Sequence, residues 1–141
     1  MPTVELRFTA LPAHVRTARL VATAVARRCG LEEVVLDEVR LAVGEACSRA
    51  VHLHRAHCPD RPVTVTLVDD KSAFRVAVTD EAPAGGSDTS LDELTEVADL
   101  ESDAVPPGVG LAVISGLVDD VSVEPGRAGG LVVRMTWPIG A

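Results

Sequence analysis

Aromatic side chains are almost absent from this chain of 141 residues, which contains two phenylalanines, one tryptophan and no tyrosine. Hydrophobic residues still make up 47% of the sequence, so valine, leucine and alanine must build the core. No run of about 18 apolar residues is present to form a membrane-spanning helix. The N-terminus also lacks the basic-then-apolar pattern of a secretory signal. The length and composition therefore predict a single cytoplasmic domain without a membrane anchor.

Positive charge is scarce as well. Thirteen Lys and Arg residues face 21 Asp and Glu residues, which gives a formal net charge of −8. Binding to nucleic acid without sequence preference needs clustered cations, so this balance argues against a nucleic-acid partner.

Cysteine is scarce too, with three residues that lack the spacing of a zinc site: Cys29, Cys47 and Cys58. We predict reduced thiols that pack as small hydrophobic side chains. A metal cluster of His52, His54, His57 and Cys58 is disfavoured, because His54 and His57 share a helix face from which His52 points away.

Hydrophobic periodicity predicts the order β, α, α, β, β, long loop, α, β, β. The predicted strands cover residues 3–9, 62–68, 73–79, 120–124 and 130–137, and the predicted helices cover 12–29, 32–56 and about 109–117. In the first helix the predicted apolar stripe contains Val15, Leu20, Val21 and Val25. Strands that cluster into hairpins predict an α+β fold, a two-layer sandwich in which helices cover one face of a single mixed sheet.

A long acidic segment interrupts this pattern between residues 80 and 107. It contains nine acidic residues and no Lys or Arg, and Pro83 and Pro106-Pro107 lie near its two ends. Long loops in compact domains usually serve a function. Two interpretations stay open: the acidic side chains meet a basic partner surface, or they only keep the loop soluble.

Three short patterns have the chemistry of a binding site. Glu45 and Arg49 are four residues apart on a predicted helix and share a face, which in isolation indicates a solvated ion pair. Asp80 ends an apolar strand, where a carboxylate either accepts hydrogen bonds from a ligand or caps a turn. Gly108-Val109-Gly110 precedes a predicted helix, where glycines either let backbone N–H groups approach an anion or form a hinge.

In this order, the three patterns resemble the GHKL ATPases, and most closely the bacterial anti-sigma-factor serine kinases. Glu45-Ala46-Cys47-Ser48-Arg49-Ala50 resembles their N-box, and the segment from Asp80 resembles their G1 box. The resemblance implies a histidine-kinase-like (Bergerat) ATPase fold over residues 1–141, with residues 81–107 as the ATP lid. It also implies ATP or ADP and Mg²⁺ as cofactors, a sigma factor and an anti-anti-sigma antagonist as partners, and a homodimer.

The resemblance further implies roles for individual residues. Glu45 matches the general base, which polarises a water or a serine hydroxyl near the γ-phosphate. Asp80 matches the residue that accepts the adenine amino group. The remaining cofactor-binding residues implied are Arg49, Ala82, Ala84, Gly108, Val109, Gly110 and Leu111.

The chain departs from the family pattern in three places. Arg49 stands where the family has an asparagine that holds Mg²⁺, and a guanidinium has no acceptor and cannot be a metal ligand. It either replaces the cation beside the phosphates or pairs with Glu45 and silences the base. Ala82 and Ala84 replace glycines and disfavour positive φ, and Leu131 replaces a threonine.

These departures predict an anti-sigma regulatory factor that binds a sigma factor, an antagonist or both, with impaired use of ATP and Mg²⁺. The alternative is an active ATP-dependent serine kinase that phosphorylates its anti-anti-sigma antagonist. The sequence leaves open whether the chain is an enzyme, and it assigns no residue to a metal.

Overall fold

A computed structural model describes residues 2–82, 114–127 and 129–139 of the chain. The helices are α1 (Pro12–Arg28) and α2 (Glu33–His57), and the strands are β1 (Thr3–Phe8), β2 (Val63–Asp69), β3 (Ala73–Thr79), β4 (Asp120–Pro125) and β5 (Leu131–Pro138). Each agrees with its predicted bounds to within one residue at either end. Of the predicted helix over 109–117, residues 114–117 are helical. Its beginning and most of the predicted lid lie outside the described residues.

The described strands form one five-stranded sheet in the order β1-β2-β3-β5-β4. Every pair of neighbouring strands is antiparallel. The predicted α+β architecture is confirmed, but the mixed sheet is wrong in this part of the chain. The reason is connectivity: β2 and β3 form a hairpin, and two successive helices return the chain so that β2 runs against β1.

The core lies between the sheet and the helices. On β3, Phe74, Val76 and Val78 are buried and Arg75 between them is exposed, as the two-residue period of a strand requires. On α2, the buried side contains Leu36, Val39, Val43, Ala46 and Ala50. Phe74 stacks on Trp137 of β5, with ring centroids 6.0 Å apart.

Helix α1 presents small side chains to the core. Its buried residues are Ala18, Ala22, Thr23 and Ala26. Leu20 is 61% exposed, so its predicted place in the buried stripe is wrong. Small residues let α1 approach α2 closely. A Cβ added to Gly44 of α2 would lie 2.7 Å from Cδ of Arg19, so the aliphatic part of this arginine occupies the space that a side chain would need.

The three cysteines are free thiols, as predicted. Cys47 lies in the core, where burial raises the pKa of its thiol to about 12. The thiol therefore stays protonated at neutral pH and packs as a small hydrophobic group. In the described ranges neither helix is both long and apolar enough to cross a membrane.

The hairpin between β2 and β3 depends on Asp70. Its Oδ1 accepts hydrogen bonds from the Ser72 hydroxyl and from the backbone N–H groups of Ser72 and Ala73. Its Oδ2 lies 3.0 Å from Nη1 of Arg75. The hydrogen bond from the Ser72 side chain is the main cause that lowers the pKa of Asp70, and the backbone N–H groups and Arg75 lower it further. Lys71 completes the turn with a φ of 68°.

We expect Val76→Ala to lower the free energy of unfolding by about 2 kcal/mol, because it removes two buried methyl groups and leaves a cavity. Val123→Ala on β4 is the matched control. Val123 is 45% exposed, so Val123→Ala should lower the free energy of unfolding by no more than about 0.5 kcal/mol. Urea unfolding followed by the fluorescence of the single, buried Trp137 measures both. Equal losses would contradict the assignment of the core face.

We expect Asp70→Asn to remove a stabilising contribution that depends on pH. Because the folded-state pKa of Asp70 lies below its unfolded value, the ionised carboxylate stabilises the fold above about pH 4. This contribution is lost as the pH falls through the folded-state pKa. The stability difference between wild type and variant should therefore be constant from pH 5 to pH 8 and shrink below about pH 4. A difference that grows in acid would overturn this account of the turn.

Candidate functional site

The centre of the candidate site is an ion pair between α2 and the end of β3. Nη1 of Arg49 donates a hydrogen bond to Oδ2 of Asp80 at 2.8 Å. The side chain of Arg49 is only 5% exposed and that of Asp80 only 1% exposed. Desolvation of each charge costs several kcal/mol, so both charges are tolerated here because they neutralise each other.

The local sequence explains why both side chains point inward. Asp80 follows Val76 and Val78 with the two-residue period of β3 and therefore faces the helices. Arg49 lies beside the buried Ala46 and Ala50 on the inner side of α2. The packing of α2 against β3 then brings the guanidinium to a carboxylate, which accepts its hydrogen bond and neutralises its charge.

Asp80 is held on every side by further contacts. Its Oδ1 accepts the backbone N–H of Ala82 at 3.1 Å, and its own N–H donates to the Leu131 carbonyl at 3.0 Å. Gly130 has a φ of 68°, and a Cβ added there would lie 2.3 Å from Oδ1 of Asp80. Only glycine is compatible with this approach, so the start of β5 closes the site over the carboxylate.

Ala82 is fully buried in the turn after β3. Lys71 is the one non-glycine residue with positive φ in the described ranges, so Ala82 has a negative φ. This agrees with the conformational preference of an alanine. The turn that follows Asp80 is therefore built without the left-handed conformation that a glycine allows at this position.

A second contact, through His54, fixes the same turn, and His54 is not among the predicted site residues. The ring is fully buried, and Nε2 accepts the backbone N–H of Glu81 at 2.9 Å. Nδ1 must then carry the hydrogen, which it donates to the Arg61 carbonyl at 2.8 Å. The Arg61 guanidinium also pairs with the Glu81 carboxylate at 3.2 Å. His54 therefore ties the end of β3 to the loop after α2.

One signal for His54 was present in the sequence. The buried side of α2 includes Val43, Cys47, Ala50 and His54, at spacings of four, three and four residues. A histidine that continues an apolar helical stripe is buried, and a buried imidazole needs partners for both nitrogens.

The predicted alternative in which Arg49 pairs with Glu45 is wrong. Glu45 is half-buried, and no ion pair connects it to Arg49 in the described part of the chain. The two residues share a helix, but Arg49 lies deeper and reaches Asp80. A buried guanidinium gains more from a desolvated carboxylate than from one on the water side of the helix.

The structure describes four of the predicted site residues: Glu45, Arg49, Asp80 and Ala82. It brings Arg49, Asp80 and Ala82 into direct contact. The other five lie outside the described residues: Ala84, Gly108, Val109, Gly110 and Leu111. In residues 2–82, 114–127 and 129–139, no three His, Cys, Asp or Glu side chains are grouped to hold a metal ion.

Comparisons with known proteins identify the relatives of this fold. The chain is 27% identical over 138 residues to the serine-protein kinase RsbW of Bacillus subtilis, a match that covers 94% of this chain and 83% of the relative. It is 27% identical over 123 residues to RsbW of Listeria monocytogenes, covering 85% and 78%. The solved RsbU and RsbW domains of a Mycobacterium tuberculosis protein match with a TM-score of 0.69 and 18% identity. This match covers 99% of our chain and 33% of the other, and it shows the fold alone.

The model of the histidine kinase-like ATPase domain matches residues 8–137, which include every described helix and strand in whole or in part. The two-layer α+β architecture agrees with this match. The chain belongs to the histidine kinase-like ATPase domain family.

Proposed function

We propose that this protein is an anti-sigma regulatory factor that controls transcription by binding a sigma factor, an anti-anti-sigma antagonist or both. It acts in the cytoplasm as a homodimer, and its use of ATP and Mg²⁺ is impaired. The similarity to serine-protein kinases over 94% of the chain supports the regulatory role. The buried Arg49–Asp80 ion pair is the observation that supports the impairment.

The adenine end of the implied nucleotide site does not fit a ligand as the residues stand. By resemblance, Asp80 would accept the adenine amino group, but Oδ2 already accepts Arg49 and Oδ1 already accepts Ala82. Asp80 is only 1% exposed, so adenine would have to displace one of the groups that cover the carboxylate. Displacing Arg49 would leave the guanidinium buried without a partner. Breaking such a pair costs about 3–5 kcal/mol, which corresponds to a factor of more than a hundred in affinity.

The residue at the implied metal position does not fit Mg²⁺ either. Mg²⁺ requires oxygen ligands, whereas Arg49 carries five N–H donors and no acceptor. The Arg49 guanidinium is held at Asp80, so residue 49 offers no ligand to a metal ion. The described residues therefore support a scaffold that retains the ATPase fold and has given up the two contacts that would hold ATP-Mg²⁺.

One observation favours the alternative, an active serine kinase. Glu45 keeps the position of the implied general base, and it is half-buried without an ion-pair partner in the described ranges. A carboxylate that no internal cation holds stays available to accept a proton from a hydroxyl.

We expect Arg49→Asn to strengthen binding of ATP-Mg²⁺ at least tenfold in titration calorimetry, because it frees Asp80 and supplies an oxygen ligand. Arg40→Asn is the matched control, since Arg40 lies on the same helix with a side chain that is 42% exposed and pairs with Asp37. Arg49→Gln keeps more of the buried volume and guards against loss of the fold, which Trp137 fluorescence monitors. Unchanged or weaker binding by both folded Arg49 variants would count against a site blocked by the ion pair.

The regulatory role is tested by mixing the purified protein with candidate sigma factors and anti-anti-sigma proteins. We expect stable complexes in size-exclusion chromatography without nucleotide, and no transfer of the γ-phosphate of labelled ATP to the antagonist. Transfer that disappears in Glu45→Gln would establish the kinase instead. Absence of any complex with either class of protein would overturn the proposal.

A further inference from the structure

The two ring nitrogens of His54 make contacts that only a neutral imidazole can make. Nε2 accepts the N–H of Glu81 at 2.9 Å, and Nδ1 donates to the Arg61 carbonyl at 2.8 Å. An imidazolium carries a hydrogen on both nitrogens and cannot accept a hydrogen bond. Protonation of His54 would therefore set two N–H donors against each other and break the contact with the turn after β3.

The burial of His54 couples protonation to movement of this turn. The residue is fully buried, so water does not reach the ring to solvate a new charge. A buried charge without a partner is much more costly than a buried neutral group. The ring therefore takes up a proton only when the peptide at Glu81 moves away and admits water. Uptake of the proton and release of the turn are one event.

The charged groups on the segments around the ring already have partners. Arg61 pairs with the Glu81 carboxylate, and Asp80 pairs with Arg49. Burial is the main cause that raises the pKa of the Cys58 thiol, so this group is neutral. Up to Asp80, the inner faces of β2 and β3 carry apolar side chains. The other titratable or charged side chains near this end of α2 are exposed: His52, Arg55, His57 and Asp60.

The turn that His54 holds also covers the candidate site. Glu81 lies between Asp80 and Ala82, and the Ala82 N–H donates to Oδ1 of Asp80 at 3.1 Å. The peptides on either side of Glu81 share its Cα, so movement of one displaces the other. Arg49 contacts the other carboxylate oxygen, Oδ2, and does not depend on this turn. Release of the turn therefore uncovers Oδ1 of Asp80 and leaves the ion pair in place.

We propose that His54 is a proton-sensitive latch on the turn after β3. The neutral ring binds the Glu81 N–H and keeps the turn closed, whereas the protonated ring releases it. Because the closed turn requires the neutral ring, the latch is lost as the pH falls. It is a property of the folded chain and requires neither a nucleotide nor a partner protein. The latch and the proposed function can therefore fail independently.

The coupling of one proton to one opening fixes the size of the effect. An exposed histidine ordinarily takes up its proton at about pH 6.5. With this value for the open turn, linkage raises the ratio of open to closed turns about thirtyfold between pH 7.5 and pH 5.0. Carboxylates ordinarily titrate at about pH 4, below this range. A change within the range therefore reports on a histidine.

Hydrogen exchange of the Glu81 amide, measured by NMR, follows the opening of the turn. After correction for the intrinsic exchange rate, we expect its protection in the wild type to fall about thirtyfold from pH 7.5 to pH 5.0. The amide of Val78 should stay more protected than that of Glu81 at both pH values, because the opening is local. At pH 7.5 the nitrogen chemical shifts of the His54 ring should place the hydrogen on Nδ1.

Three variants separate the ring from its charge. His54→Gln keeps an acceptor and a donor on an uncharged side chain, so it should hold the turn and lose the pH dependence. His54→Leu removes both contacts, so protection of Glu81 at pH 7.5 should be at least tenfold below that of the wild type. His52→Gln is the matched control, since His52 is an exposed histidine of the same helix. It should behave like the wild type.

Trp137 fluorescence confirms that each variant is folded. Constant protection of Glu81 in the wild type would overturn the latch, and so would a His54 ring with its hydrogen on Nε2 at pH 7.5. The latch would also be wrong if folded His54→Gln kept the pH dependence of the wild type, or if His52→Gln abolished it.

Discussion

The buried ion pair between Arg49 and Asp80 connects the two layers of this protein at its candidate site. One charge comes from the middle of α2 and the other from the end of β3, and water reaches neither side chain to any useful extent. Neither charge is tolerable alone in this position, so each residue explains the presence of the other. The turn after β3, the start of β5 and the inner side of α2 are all arranged around it.

The pair does not by itself make the fold more stable than an apolar contact would. Replacing a buried ion pair by hydrophobic residues is often neutral or stabilising, whereas removing one partner is costly. Its effect is on specificity, because it fixes where β3 ends relative to α2. His54 supplements it by binding the next peptide N–H, and Gly130 allows the closing strand to approach.

The covered face of the sheet and its β1 edge differ in the changes that they tolerate. The covered face carries the core and the ion pair, whereas the β1 edge carries charges without partners in the described chain. On the covered face few substitutions are tolerated, because every substitution of a buried residue affects packing. Substitutions at the edge change the fold at little cost.

Much of the architecture could be predicted from sequence, because helix and strand periods are local properties. The bounds of α2 and β3 and the clustering of strands into hairpins followed from the pattern of apolar residues. The motif around Glu45 and the end of β3 at Asp80 indicated the family. The substitution at Arg49 also excluded a metal ligand from side-chain chemistry alone.

Tertiary structure decided which partner Arg49 takes. Spacing along the helix offered Glu45, four residues away, but the contact formed is with Asp80, 31 residues away. That choice depends on the depth at which α2 packs on the sheet, and so does the double contact of His54. The antiparallel direction of every described strand pair was likewise a property of the whole chain path. The sequence determined the helices, the strands and the chemistry of their side chains. Packing determined that Arg49 and Asp80 are buried together, where each charge needs the other as its partner.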